Sequence, residues 1–210
     1  MPTIPSSQLY AASILVVVST LLIALPSAHA LELQVPNPSL KPAGKGKPGL
    51  SAVPAKWKVM EGKKESCARW TCKSSQGNEL THTAIAKGVT LSCSVPVPVL
   101  TDKEKSVNGD WGGVLSVDTL GAIGSGAGSW RLAVLLPGEK SPVVTMTAQD
   151  SRKANPDAPL VKREWHELSP EVMKKLEGKT VELRLTSLGE APVVISHVSF
   201  SRLHSNPHRK

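Results

Sequence analysis

The chain has 210 residues, with 25 Lys and Arg against 17 Asp and Glu and a formal net charge of +8 at pH 7. A composition of 40% hydrophobic and 20% charged residues can bury a core, which excludes a wholly disordered chain and a collagen-like repeat. Set apart the first thirty residues, and about 180 remain, the size of one domain.

The N-terminal segment reads as an export signal. An apolar run from Ala11 to Leu25 is followed by Pro26, Ser27 and the small-x-small pattern Ala28-His29-Ala30, so cleavage is expected after Ala30. Spanning a bilayer takes about 20 apolar residues, more than this run supplies, so the mature protein is expected to be soluble and to begin near Leu31. No Lys or Arg precedes the run, which keeps a retained anchor as the alternative. The expected location is secreted, periplasmic or cell-envelope.

Leu31 to Val35 alternates apolar and polar residues, the two-residue period of a half-buried strand. Residues 36–55 carry Pro36, Pro38, Pro42, Pro48 and Pro54 with Gly44, Gly46 and Gly49, which makes them a loop. Between Lys41 and Lys73 lie nine basic residues against Glu61 and Glu65, a local net charge of +7. Lys45, Lys47, Lys63 and Lys64 form a basic patch suited to an anionic partner such as a polysaccharide or an envelope surface; a plain solvated face is the alternative. Nucleic acid is disfavoured, because no aromatic-basic RNA-binding signature is present.

Further strands are predicted over Lys56–Met60, Ser66–Cys72, Leu80–Ile85, Val89–Val95, Val114–Leu120, Trp130–Leu136, Val143–Ala148, Val161–His166, Val181–Leu185 and Val193–Leu203. About ten short strands between turn residues predict an all-β fold, an antiparallel β-sandwich over residues 31–203. One short helix is predicted near Pro170 to Glu177, capped by Ser169 and stopped by Gly178. Residues 204–210 read as a polar basic tail. The expected core includes Leu33, Trp130, Leu132, Val134, Leu183, Leu185, Val198 and Phe200.

Cys67, Cys72 and Cys93 are an odd set in a disulfide-permissive compartment. On one strand Cys67 and Cys72 would face opposite ways about 16 Å apart, beyond the roughly 7 Å limit for a disulfide. Cys93 is therefore expected to pair with one of them across neighbouring strands. No structural zinc spacing completes a metal site, and no cofactor motif is present.

Two ends of the chain resemble the galactose-binding-like jelly-roll domains found as carbohydrate-binding modules on secreted enzymes. The opening Leu31-Glu32-Leu33-Gln34-Val35-Pro36-Asn37-Pro38-Ser39-Leu40 followed by Pro54-Ala55-Lys56-Trp57, and at the end Trp165 leading to Gly178 to Leu185 and then Val194 to Phe200, carry the resemblance. It implies a jelly-roll sandwich. Many such modules hold a structural calcium through acidic residues in the opening turn and the last strand; here Lys41 and Ser196 stand in those places, which argues against that site.

For a ligand, Trp111 is the nominated aromatic. It follows Asn108-Gly109-Asp110 and precedes Gly112-Gly113, so its indole plane has room at a turn while Asn108 and Asp110 could bond sugar hydroxyls. The alternative is a Trp that plugs one end of the sandwich. Neither Gly-x-Ser-x-Gly nor His-Glu-x-x-His occurs, and no catalytic constellation is evident. The expected function is an exported, non-catalytic binding module for a polysaccharide or other anionic envelope ligand. The alternative is a structural or protein-interaction protein of the envelope.

Overall fold

A computed structural model describes residues 30–43, 52–106 and 109–205. The expected export signal before Ala30, Lys45, Lys47, Asn108 and the tail beyond Ser205 lie outside the described residues.

Among the described residues eleven strands form two antiparallel sheets, and the strand positions follow the alternation in the sequence. They are β1 (Ala30–Leu33), β2 (Lys58–Glu61), β3 (Cys67–Lys73), β4 (Glu79–Ile85), β5 (Thr90–Pro96), β6 (Asp110–Ala122), β7 (Gly128–Leu135), β8 (Val144–Asp150), β9 (Lys162–Leu168), β10 (Thr180–Ser187) and β11 (Val193–Ser205). One sheet has the order β3-β4-β11-β6-β9, with β1 added to β11; the other has the order β2-β5-β10-β7-β8. The 13-residue β11 pairs with β6 along its length, with β4 at its start and with β1 near its end. It runs on through His204 and Ser205, which the sequence placed in the tail, because these residues pair with Trp111 and Asp110.

Between the sheets lies one large core. Leu91, Cys93 and Val95 of β5, Leu183 and Leu185 of β10, and Trp130, Leu132 and Val134 of β7 face Leu115 and Val117 of β6 and Val198 and Phe200 of β11. All eight expected core residues are buried. Removing such apolar surface from water, at about 25 cal/mol per Å², is the main force holding the two layers together. A second, smaller cluster sits on the far side of the first sheet. There Cys72, Ala84, Leu120 and Val194 are covered by Trp70, Ile123 and Ala154. The segment after β8 contributes Ala154 to that cover, held by Ala122 N–H to Arg152 O at 2.7 Å and by Lys73 N–H to Pro156 O at 2.8 Å.

The predicted helix is α2 (Pro170–Leu176), with Ser169 Oγ accepting from Val172 N–H and with Met173 and Leu176 buried. It packs on Gly113, where a Cβ would sit 2.5 Å from Met173 Sδ, so glycine is what lets the helix approach the sheet. A second helix, α1 (Asp102–Lys105), corrects the expectation of one. It has four residues and is held by a reciprocal Thr101–Glu104 capping box. At this length it leaves no hydrophobic period in the sequence, only its cap.

The described ends of the long proline-rich loop are pinned. The Thr83 hydroxyl bonds Leu40 O at 2.8 Å and Ala52 O at 2.9 Å, and Pro42 bridges Pro54.

The expected disulfide is not formed: Cys67, Cys72 and Cys93 are free and buried. Cys67 and Cys72 do face opposite sides of β3, one in each cluster. Cys93, however, belongs to β5 of the other sheet, so it is not on a neighbouring strand of either.

Candidate functional site

The open face of the five-stranded sheet is built by the same alternation that fills the core. With Leu183 and Leu185 inward, Glu182, Arg184 and Thr186 face outward; with Trp130, Leu132 and Val134 inward, Arg131 and Ala133 do the same. Strand pairing then sets these residues in rows across the sheet. Lys58, Ser92, Arg184, Ala133 and Thr145 are consecutive cross-strand partners, and so are Glu61, Thr90, Thr186, Arg131 and Thr147. Five strands at about 4.8 Å spacing make each row about 19 Å long.

Small side chains in these rows leave a groove between longer ones. One part has a volume of about 330 Å³, bordered by Glu61, Arg131, Arg184 and Thr186 and by Lys140 and Pro142 from the loop joining β7 to β8. Another part, of about 450 Å³, is bordered by Lys56, Lys58, Ser92, Ser94 and Glu182, and Met60 lines both. Lys56 reaches this position from a left-handed backbone conformation, φ 66°, in the turn where Trp57 N–H bonds Pro54 O.

The charges of the groove do not cancel. Arg184 donates to both Glu182 oxygens, at 3.1 and 2.9 Å, and its guanidinium holds the Glu182 carboxyl below the usual range. The Glu61 carboxylate accepts from Thr90 Oγ1 at 3.1 Å. Among the described residues, Lys56, Lys58, Arg131 and Lys140 have no carboxylate within 4.0 Å. Cys93 borders the groove from beneath, but burial, with the Glu182 charge adding to it, pushes its thiol up to about 12. It is therefore a protonated, poor nucleophile at neutral pH.

The residues nominated from the sequence lie elsewhere. Trp111 is at the start of β6, partly buried, with its indole N–H donating to Glu104 O at 3.2 Å and its ring 5.1 Å from that of His204. Asp110 is the exposed first residue of the same strand. Lys63 and Lys64 are exposed in the turn that follows β2, two and three residues beyond Glu61 of the groove. Of the basic segment from Lys41 to Lys73, Lys56 and Lys58 are the residues that border the groove, while Arg69 donates to Ala43 O and Lys73 faces Asp157.

At the places where the resembled modules carry calcium ligands, the donor set does not suit the ion. Lys41 closes a turn with Asn37, whose side chain bonds both Lys41 N–H and Lys41 O. Ser196 donates to Asp118 O at 3.1 Å, at an irregularity in the pairing of β11 with β6. Among the described residues no group of three His, Cys, Asp or Glu side chains is placed to hold a metal ion.

A second open surface lies on the six-stranded sheet, where Trp165 of β9 is 60% exposed. Its cross-strand partner is Ser116, which in turn pairs with Ser199, and the two hydroxyls are 2.7 Å apart. Arg163, on the same face of β9, makes a two-bond fork to Asp118 at 2.7 and 2.8 Å. Toward α2 the surface deepens into a cleft of about 550 Å³ bordered by Gly112, Glu167, Ser169, Leu203 and His204.

No protein-family model matches the chain, and no curated protein sequence matches it. Among solved structures it is similar to a carbohydrate-binding module from Cellvibrio mixtus lichenase 5A in complex with cellotriose, with 12% identity and a TM-score of 0.38 over 71% of this chain and 90% of that one. It is also similar to a xylan-binding module, CBM15, with 13% identity and a TM-score of 0.42 over 85% of this chain and 98% of that one. A third likeness is to the enzymatically active domain of bacteriophage CBA120 tailspike protein 4, with 6% identity and a TM-score of 0.40 over 70% of this chain and 19% of that one.

Lys56 and Lys58 of the groove fall in the basic segment from Lys41 to Lys73 that the sequence offers to an anionic partner, but Arg131, Lys140 and Arg184, like Trp165, are not among its candidate ligand contacts. The alternation around Trp130 already turned Arg131 outward, but its company with Lys58 and Arg184 depends on strand order. Trp165 sits between Glu164 and His166, where no apolar alternation marks an inner and an outer face.

Proposed function

We propose that this chain is an exported, non-catalytic binding module that holds an acidic polysaccharide across the open face of its five-stranded sheet. The observation that carries this reading is the groove itself, in which Lys56, Lys58, Arg131 and Lys140 have no carboxylate within 4.0 Å among the described residues while Glu182 and Glu61 are engaged by Arg184 and Thr90. Pairing these four cations with carboxylate or sulfate groups would complete the charge balance of the groove. The floor of Ser92, Thr90 and Thr186 is polar, with its hydroxyls engaged by Glu182, Glu61 and one another. Lys63 and Lys64 would extend the attraction beyond the groove's edge, and Lys45 and Lys47 belong to the same basic segment of the sequence.

Binding to polygalacturonate and to heparin, measured by calorimetry at 50 and 500 mM NaCl, tests it. Affinity should fall with salt, because charges more than about 8 Å apart are screened at physiological ionic strength. It should fall at least tenfold in the Arg131→Gln, Lys140→Gln double variant. A variant in which Lys45, Lys47, Lys63 and Lys64 become Gln measures the share of the basic segment, and Trp111→Ala measures that of the sandwich end. Equal binding by the wild type and the Arg131, Lys140 variant would refute the groove as the site, whichever other variant loses affinity.

A further inference from the structure

We infer that β8, the outer strand of the five-stranded sheet, pairs antiparallel with β8 of a second copy of this chain and joins the two sheets edge to edge. The outer side of a sheet carries unpaired N–H and C=O groups, and natural edges are blunted by short strands, charged side chains, bulges or covering segments. β8 lacks these guards among the described residues. It runs for seven residues in unbroken register with β7, and from Ser141 to Gln149 no residue is charged.

The other outer strands are guarded. β1 has four residues and includes Glu32; β2 also has four, with Lys58, Glu61 and an irregularity in its register. β3 carries Arg69 and Lys73 and is held at both ends, where Ala52 N–H donates to Cys67 O at 3.0 Å and Lys73 N–H donates to Pro156 O at 2.8 Å. β9 carries Lys162, Arg163, Glu164 and Glu167.

The side of β8 that faces away from β7 is marked by Lys162 of β9, whose Nζ donates to Gln149 O at 3.0 Å. Main-chain groups alternate between the two sides of a strand, so Thr147 and Thr145 point their N–H and C=O the same way as Gln149. Among the described residues no main-chain group bonds them there, and both side chains are exposed. A like strand meets this uncharged edge without repulsion, and a two-fold axis at Met146 makes the edge self-complementary. Thr145 and Thr147 of one copy then stand opposite Thr147 and Thr145 of the other. Each pair exchanges two main-chain hydrogen bonds, and the threonine side chains meet across the open face. One strand edge is less than the roughly 800 Å² per side of a standard interface, so the association is reversible and depends on concentration.

Pairing also extends the groove. Lys140, Pro142 and Thr145 border it at this edge, and the cross-strand row that ends in Thr147 of one copy runs on into the row that ends in Thr145 of the other. Ten strands at about 4.8 Å make the joined row about 43 Å long, with Arg131 of one copy and Arg184 of the other about 19 Å apart along it. A single acidic chain can then attach to both grooves, which raises affinity without a new contact. That consequence rests on the groove being the polysaccharide site; the strand pairing does not.

The experiment is sedimentation of the protein without any saccharide, from about 10 to 300 µM, with amide hydrogen exchange at both ends of that range. Expected is a monomer–dimer equilibrium, with exchange at Thr145 and Thr147 slowing as the dimer forms. The Thr145→Lys, Thr147→Lys double variant sets like charges opposite each other and should weaken association tenfold or more. Thr147→Pro, which removes an outward N–H, should do the same. Both positions are exposed, and an unchanged melting temperature checks that the variants fold. Trp165→Ala, on the other sheet, should associate as wild type does. A monomer at every concentration overturns the inference, as does association that the double lysine variant leaves unchanged or that Trp165→Ala abolishes. Slow exchange at Thr145 and Thr147 in a monomer also overturns it, since a segment of the same chain would then cover the edge.

Discussion

Arg202 of β11 is 1% exposed and faces Glu177, just beyond α2, with 3.4 Å between guanidinium nitrogen and carboxylate oxygen. The other oxygen of Glu177 accepts from Leu100 N–H at 3.0 Å, so one carboxylate joins the last strand, the end of the helix and the segment leading into α1. Arg202 lies on the inward side of β11, two residues beyond the core residue Phe200, where an unpaired charge is costly.

Glu177→Ala is therefore expected to destabilise the protein by about 3 to 5 kcal/mol, since it strands a buried guanidinium. Arg202→Met, which removes the charge and keeps apolar volume, should cost much less. Urea unfolding of both variants checks the order; a larger loss for Arg202→Met would show that the arginine contributes more than its pairing.

Stability should fall on acidification below about pH 4. Burial alone would raise the Asp150 carboxyl, but hydrogen bonds from Arg152, at 2.7 and 2.9 Å, and from Thr119, at 2.6 Å, hold it below its usual range. Glu182 is lowered in the same sense by Arg184. A depressed folded-state pKa stabilises above the unfolded value and is lost as pH falls through the folded one. Melting temperature between pH 2 and 7 should be steeper in wild type than in Asp150→Asn; parallel curves would remove Asp150 from the acid response.

The three thiols should react slowly in the native protein. Burial raises Cys67 to about 11, Cys93 is pushed up to about 12, and Cys72 is raised in the same direction. At pH 8 a thiol reagent should label little before unfolding and three equivalents per chain afterwards. Fewer than three equivalents in denaturant without reductant would indicate a disulfide.

Secreted material should begin near Leu31, from the apolar run of Ala11 to Leu25 and the Ala28-His29-Ala30 pattern. N-terminal sequencing of the culture supernatant and the membrane fraction checks this. An intact Met1 in the membrane fraction alone would make the segment an anchor.

Much of the fold was legible because a strand's side chains alternate in a period of two, a local property that any apolar-polar run records. Leu33, Trp130, Leu132, Val134, Leu183 and Leu185 were assigned to the core on that basis, and each is buried. The Ser169-Pro170 start of α2 was equally legible, because a cap and a first-turn proline act within a few residues.

Strand order is a different matter, since pairing joins residues far apart in the chain. Alternation could turn Arg131 away from the core, but only the order β2-β5-β10-β7-β8 brings it into one groove with Lys58 and Arg184. The basic excess between Lys41 and Lys73 was visible in the sequence; its division between the groove, the Lys63–Lys64 turn and internal bonds such as Arg69 to Ala43 was not. Likewise, Cys93 was read beside Cys67 or Cys72 until the sheets separated them. Trp165 lies on β9, the last strand of its sheet, and is exposed, whereas the segment around Ala154 packs on Cys72, Ala84, Leu120 and Val194. Local sequence thus determined which residues form strands and which way most of them face, through sterics and the hydrophobic effect acting at short range. Tertiary structure decided which outward residues share a surface, because that depends on contacts made across the whole length of the chain.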